Sequence, residues 1–128
     1  MSDRQVVPAA SPWAASVGYS RAVRVGNHIY VSGTAPVMPD GEPPPEDAYG
    51  QARRCLEIIV AALAELGAQP EHVVRTRVFI TDAEHWEGVG RAHAEVFGEI
   101  RPASAMLVIT GALDPQFLVE IEADAVIP

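Results

Sequence analysis

Lysine is absent from the 128 residues: all nine basic side chains are arginine. That excludes a Walker-type phosphate loop, a Schiff-base lysine and a polybasic membrane anchor. Cysteine is nearly absent. The single Cys55 permits no intrachain disulfide, and a Cys₄ or Cys₂His₂ zinc site needs more ligands than this. His28, His72 and His85 share no metal-ligand spacing, so no metal is expected. Basic charge is scarce, with nine arginines against seventeen acids and a net charge of −8. That sign is wrong for neutralising phosphates, so no nucleic-acid partner is expected. Long hydrophobic runs are missing as well. The residues after Met1 read SDRQVVPAASPWAAS, without a continuous apolar stretch. No signal peptide or membrane span is visible, and the expectation is a soluble cytoplasmic protein with no membrane partner.

What is present is enough to fold. Hydrophobic residues make up 48% of the chain, and the mean hydropathy is +0.10. One domain spanning residues 1–128 is expected, because two halves of about 64 residues would each be marginal. Residues 1–18, rich in proline and small residues, read as an irregular arm. Ala22 to Val25, Gly26-Asn27 and His28 to Gly33 carry a hairpin signature: two β-rich runs around a two-residue turn. Residues 38–45, MPDGEPPP, read as a loop. Ala48, Ala52, Cys55, Leu56, Ile59, Leu63 and Leu66 recur at helical steps and predict a helix of about five turns, with Gly67 stopping it. Cys55 lies on that stripe and reads as a small core residue.

His72 to Thr81 alternates as a strand, with Val74, Thr76, Val78 and Ile80 on one face and Arg75, Arg77 and Phe79 on the other. Thr81 to Glu84 has capping-box spacing. Trp86, Val89, His93, Val96, Phe97 and Ile100 then form a second helical stripe, which Pro102 closes. On that stripe His93 reads as a packed residue. Met106 to Ile109 reads as a short strand. Phe117 to Ile127 is a last strand, with Glu120, Glu122 and Asp124 sharing one face.

The order ββ-α-β-α-ββ leaves two helices to cover one face of a five- or six-stranded sheet. The uncovered face carries arginines on one strand and acids on another, so cations should meet anions across it. Such a face serves as solvent surface or as a subunit interface holding a polar pocket. Composition alone favours solvent surface.

Five stretches, in order and at matching spacing, resemble the Rid/YjgF family of reactive intermediate deaminases. They are GYSRAVRVGNHIYVSGTAP, QARRCLEIIVAALAELGA, VVRTRVFITD, VFGEIRPAS and LVEIEADAV. The resemblance implies an α+β, chorismate-mutase-like (ferredoxin-variant) fold and a homotrimer with a small-molecule pocket between subunits. It also implies cofactor-free hydrolysis of imines or enamines. Matched to the family's motif positions, Glu120 becomes the expected catalytic carboxylate. Tyr19, Ser32, Gly33, Thr34, Ser104 and Met106 become the expected substrate-binding residues.

The match has departures. Thr34 stands where the family has Gln, Gly90 where it has Asn, and Met106 where a pocket cysteine is common. Ser104 takes the place of the arginine that grips the substrate carboxylate, and Arg101 is the nearest cation along the chain. Arg101 also reads as a helix-end arginine complementing the dipole. Glu120 reads as a proton relay or as a carboxylate paired with Arg75 or Arg77. Tyr19 either stacks on a ligand or seals a subunit boundary. Ser104 either donates to a ligand or satisfies its own loop. Two functions follow: a Rid-type hydrolase with weak or altered activity, or a trimeric binding protein without turnover. A pocket with Ser104, Met106 and Gly90 is less cationic and suits a neutral or partly apolar ligand.

Overall fold

Gly26-Asn27 closes a tight hairpin, with Gly26 at a φ of 58°. That backbone is cheap only without a Cβ, and its twist matches the strands on either side. In the computed structural model, which describes residues 3–128, these strands are β2 (Ala22–Val25) and β3 (His28–Thr34). They join β1 (Arg4–Val7), β4 (Val73–Ile80), β5 (Ala103–Val108) and β6 (Val119–Val126) in one sheet of order β1-β2-β3-β6-β4-β5. Only β4 and β5 are parallel. A parallel pair needs a crossover, and helix α3 (Trp86–Phe97) supplies it. A short helix, α1 (Ala14–Val17), precedes β2, and α2 (Ala48–Glu65) links β3 to β4.

The expected apolar stripe of α2 is its buried face: Ala48, Ala52, Cys55, Leu56, Ile59 and Leu63. It packs on Ile29 and Val31 of β3, Val78 and Ile80 of β4, and Ile121 and Ala123 of β6. Asp47 caps the helix by accepting the Gly50 N–H at 3.1 Å. Gly67, at a φ of 83°, ends it as expected. Ala68 N–H bonds to the Leu63 carbonyl at 2.8 Å and Gly67 N–H to that of Ala64 at 3.1 Å, a Schellman closure.

Several elements differ from the sequence reading. The arm is not irregular: Arg4–Val7 pairs antiparallel with Ala22–Val25, because the hairpin leaves an edge of unpaired backbone groups. Three helices therefore replace two, although α1 is a single turn. On β4 the register slips between Val73 and Arg75. The slip puts Val73 in the core and leaves Val74 48% exposed, reversing the expected side for Val74 alone. Asp82, not Thr81, caps the next turn by accepting the Glu84 N–H at 2.8 Å. That turn, Ala83–His85, is 3₁₀ and rotates Trp86 outward to 60% exposure. α3 stops at Phe97 rather than at Pro102. Finally, β5 begins at Ala103, so Ser104 is a strand residue and not a loop residue.

The two faces of the sheet separate as alternation demands. Val119, Ile121, Ala123 and Ala125 of β6 are buried under the helices. On the open face Arg75 pairs with Asp124, Arg77 with Glu122 and Phe79 with Glu120 along the β4–β6 ladder. Arg77 Nη1 lies 3.4 Å from Asp124 and 3.5 Å from Glu122. Cations do meet anions across this face, as expected. At the far edge every β5 residue is exposed, including Leu107 at 52% and Val108 at 58%. No helix among the described residues is long and apolar enough to cross a membrane.

Gln51 is a polar residue on the buried stripe of α2, only 1% exposed. Its Nε2 donates to the Pro45 and Gln116 carbonyls at 2.9 and 3.0 Å, and its Oε1 accepts the Leu118 N–H at 2.7 Å. One amide thus satisfies three backbone groups of two loops. Gln51→Leu leaves all three without a partner, and should cost about 2 kcal/mol or more. A lower denaturant midpoint at unchanged m-value checks this.

Candidate functional site

The distinctive backbone of this sheet is a bulge in β3. Val31 pairs with Ala123 and Thr34 with Ile121, so the register shifts between them. The two residues in the shift are Ser32 and Gly33, both expected from the sequence to line a site. Arg21, just before β2 and only 8% exposed, holds the bulge from within. Its Nη1 donates to the Gly33 carbonyl at 2.7 Å and to Thr34 Oγ1 at 3.0 Å, with the Ser32 carbonyl at 3.5 Å. Ser32 Oγ donates to the Ser20 carbonyl at 2.6 Å.

Glu120 sits against this bulge. A Cβ on Gly33 would lie 2.6 Å from Glu120 Oε1, so glycine is what lets the carboxylate approach. Among the described residues no donor bonds to that carboxylate. The pairing with Arg75 or Arg77 does not occur, since Arg77 is taken by Glu122 and Asp124. Burial pushes the Glu120 carboxyl above its ordinary range, with Arg21 opposing and Glu122 reinforcing the shift. A half-buried carboxylate of raised pKa, with no donor bonded to it among the described residues, suits proton transfer. Tyr19 completes this cluster, its ring 5.9 Å from the Arg21 guanidinium carbon.

The remaining expected residues lie elsewhere. Ser104 aligns with Thr76, and Met106 with Val78, on the helix-covered side of the sheet. Glu120 aligns with Phe79 on the open side. Two strand spacings, about 10 Å, and three positions along β4 also separate Ser104 from Glu120. One chain therefore keeps the expected residues apart: Ser32, Gly33 and Glu120 lie on the central strands β3 and β6 with Tyr19 beside Arg21, whereas Ser104 and Met106 lie on the edge strand β5 and face the other side of the sheet. Thr34 is fully buried and spends its hydroxyl on the Ser32 carbonyl at 2.8 Å, so it supports the bulge.

The roles of Arg21 and Thr76 escaped the sequence reading, and His93 does more than the packing expected of it. Arg21 is the cation beside Glu120, whereas Arg101 is exposed and donates only to Gly98 at 3.3 Å. An arginine inside the opening motif, next to Tyr19, was the available signal. Thr76 lay in the buried phase of β4, a polar residue needing a partner. His93 is packed, as expected, with its ring 4.8 Å from that of Phe97, but it also bonds Thr76 at 2.8 Å.

The family described as Endoribonuclease L-PSP matches residues 9–127. A RutC family protein of Pyrococcus abyssi is 36% identical over 84% of each chain. The chain belongs to the Rid/YjgF family. Rid-family structures share its whole fold. A YjgF family member from Mycobacterium tuberculosis is 42% identical, with a TM-score of 0.88 over 97% of this chain and 99% of that one. Escherichia coli TdcF, solved with bound serine, is 28% identical, with a TM-score of 0.81 over 96% of this chain and 94% of that one.

The raised pKa of Glu120 fixes the sign of a pH effect. A carboxyl whose folded pKa lies above its unfolded value favours folding while protonated, and this advantage is lost as pH rises through the folded pKa. Glu120→Gln, which cannot ionise, should therefore melt higher than wild type at pH 7. The difference should vanish below about pH 4, where both side chains are neutral. Thermal melts at several pH values test this. A lower melting temperature for the variant at pH 7 would show that the carboxylate is stabilised rather than strained.

Proposed function

We propose that the protein is a cytoplasmic homotrimer that takes a small carbonyl, imine or enamine metabolite into a pocket between subunits. The observation that carries this reading is the Glu120 carboxylate, half-buried beside Gly33 without a donor of its own. Two further features support it. The two groups of residues, each half of a site, cannot meet within one chain, and the exposed apolar β5 edge invites a neighbour. With the β5 edge of one subunit set against the open face of the next, Ser104 and Met106 of the first complete the Tyr19–Gly33–Glu120 half-site of the second. Serine binding by the related TdcF is consistent with a small ligand.

In this reading Glu120 takes a proton from a water as its oxygen attacks the imine carbon. The C=N electron pair moves to nitrogen, which is protonated in turn. Glu120 then returns its proton to that nitrogen as the C–N bond breaks, and the hydroxyl proton leaves to solvent, replacing the one the nitrogen took from solvent after attack; a carbonyl compound and ammonia remain. No covalent nucleophile takes part. Cys55 is buried, and burial pushes its thiol far up, away from the reactive thiolate. RNA cleavage fits poorly, because Glu120, Glu122 and Asp124 line the open face of a chain with net charge −8.

Ser104 supports a narrower claim. A hydroxyl replaces a bidentate cation, and such charge-assisted contacts are worth roughly 1.5–3 kcal/mol. The protein should therefore hydrolyse simple amino-acid-derived imines poorly. Binding without turnover is the second reading, favoured by the same absence of a cation at position 104. An amino-acid oxidase that generates imines, with ammonia release timed, tests both. Ser104→Arg should raise turnover of 2-aminoacrylate-type substrates, and Glu120→Ala should abolish the gain. Unchanged ammonia release across several amino acids would leave the binding reading. The assembly is tested separately by light scattering, which should give three times the chain mass. A stable monomer at micromolar concentration would remove the second wall of the pocket.

A further inference from the structure

Three side chains form a continuous hydrogen-bonded chain from the core to the surface at the β5 edge. His93 Nε2 lies 2.8 Å from Thr76 Oγ1, and Thr76 Oγ1 lies 2.8 Å from Ser104 Oγ. Thr76 is fully buried and Ser104 is exposed. Each hydroxyl has one proton, so only two orders keep the proton of the buried Thr76 bonded within the chain. If Nε2 accepts, Thr76 donates inward, Ser104 donates to Thr76, and Ser104 presents lone pairs outward. If Nε2 donates, Thr76 donates to Ser104, and the Ser104 proton points outward. No described group bonds Nδ1, so neither tautomer of the neutral ring is fixed from that side. The protonated ring has only the second order, because both its nitrogens are donors.

We infer that His93, acting through Thr76, is a positioning residue that decides whether Ser104 offers the ligand a proton or a lone pair. The inference rests on the reading above that Ser104 lines the ligand pocket. It gives the pocket a specificity with direction. When His93 is charged, Ser104 serves a carbonyl oxygen; when it is neutral, both orders are open and an imine or enamine N–H is also accommodated. Substrate and product of a deamination differ in this respect.

No charged side chain bonds His93 among the described residues; α2, packed on α3, brings Arg53 and Glu57 to the groove beside Ala92, Glu95 and Val96, with Arg53 over the Tyr49 ring. β5, which carries Ser104, has no titratable residue. On β4, Arg75 and Arg77 point to the opposite face. On α3, Arg91 stacks on Tyr49 at 3.9 Å and Glu95 accepts from the Tyr49 hydroxyl at 2.9 Å. The 3₁₀ turns packed on α3 bring Glu71 and His72, and Glu84 and His85. Arg101 at the helix end is bonded to Gly98. Burial alone lowers the His93 pKa, with no charged group contributing, so its titration falls on the acid side of the ordinary histidine range.

Butanone is a suitable probe, being neutral at every pH and a hydrogen-bond acceptor only. Its affinity, read from NMR shift titrations between about pH 8 and pH 5, should tighten as His93 becomes protonated. The expected gain is roughly fivefold, the worth of one hydrogen bond. Thr76→Val breaks the chain at nearly constant volume, and His93→Gln removes the titration. Both should flatten the profile. Binding that is weakened by Ser104→Ala but flat with pH in wild type overturns this inference and leaves the pocket standing. So does a wild-type profile that persists in Thr76→Val. Binding indifferent to Ser104→Ala overturns the placement of Ser104 in the pocket, and this inference with it.

Discussion

A buried guanidinium beneath a break in a β-ladder organises this protein. Where β3 slips against β6, carbonyl groups lose their regular partners, and unpaired carbonyls in an interior are costly. Arg21 supplies the donors for Gly33 and Thr34. Its position fixes the bulge, the bulge puts Gly33 over β6, and the missing Cβ admits the Glu120 carboxylate. The same positive charge draws the Glu120 pKa back toward ionisation against the pull of burial. Backbone irregularity, local electrostatics and the poise of a carboxylate thus trace to one side chain.

The second constraint is the imbalance of the two sheet faces. The helices cover one side, and their apolar residues account for the core. The other side holds the Arg77 ion pairs with Glu122 and Asp124, whose side chains are roughly 30–40% exposed. Such exposed pairs contribute little to folding, so selection for stability does not explain them. They give the open face a charge pattern that a neighbour docking there in the proposed trimer would have to match, which favours specificity over strength.

Much of this was legible in the sequence because periodicity reports burial. The stripe of α2, the Gly26-Asn27 turn, the Gly67 stop and the facing charges of β4 and β6 all appear as the residue pattern requires. Legibility failed where geometry departs from the ideal period. The register slip after Val73 turns Val74 outward, and the 3₁₀ turn at Ala83–His85 rotates Trp86 into solvent. The arm strand Arg4–Val7 was invisible because a short edge strand takes its stability from the hairpin it joins. At the site, Glu120 and Gly33 were found through resemblance, since nothing in their spacing brings residues 33 and 120 together. Arg21 and Thr76 were missed because their roles depend on buried partners distant in sequence. Ser104 was placed in a loop because the proline at 102 suggested one. The strand resumes immediately after it, as a first-position proline permits.

Tyr49 has a consequence for how the half-sites are spaced. Its ring lies under Arg91, and its hydroxyl bonds Glu95, so α2 and α3 are clasped at their solvent side. α2 backs β3 and β6, which carry Gly33 and Glu120. α3 backs the β4–β5 edge, through His93 on Thr76, and β5 carries Ser104. The clasp makes the helical layer a ruler of fixed length between the two half-sites of one subunit. In the closed ring proposed above, the gap between neighbours is then set by docking alone. A ligand too large for it has to spread the ring rather than flex a subunit.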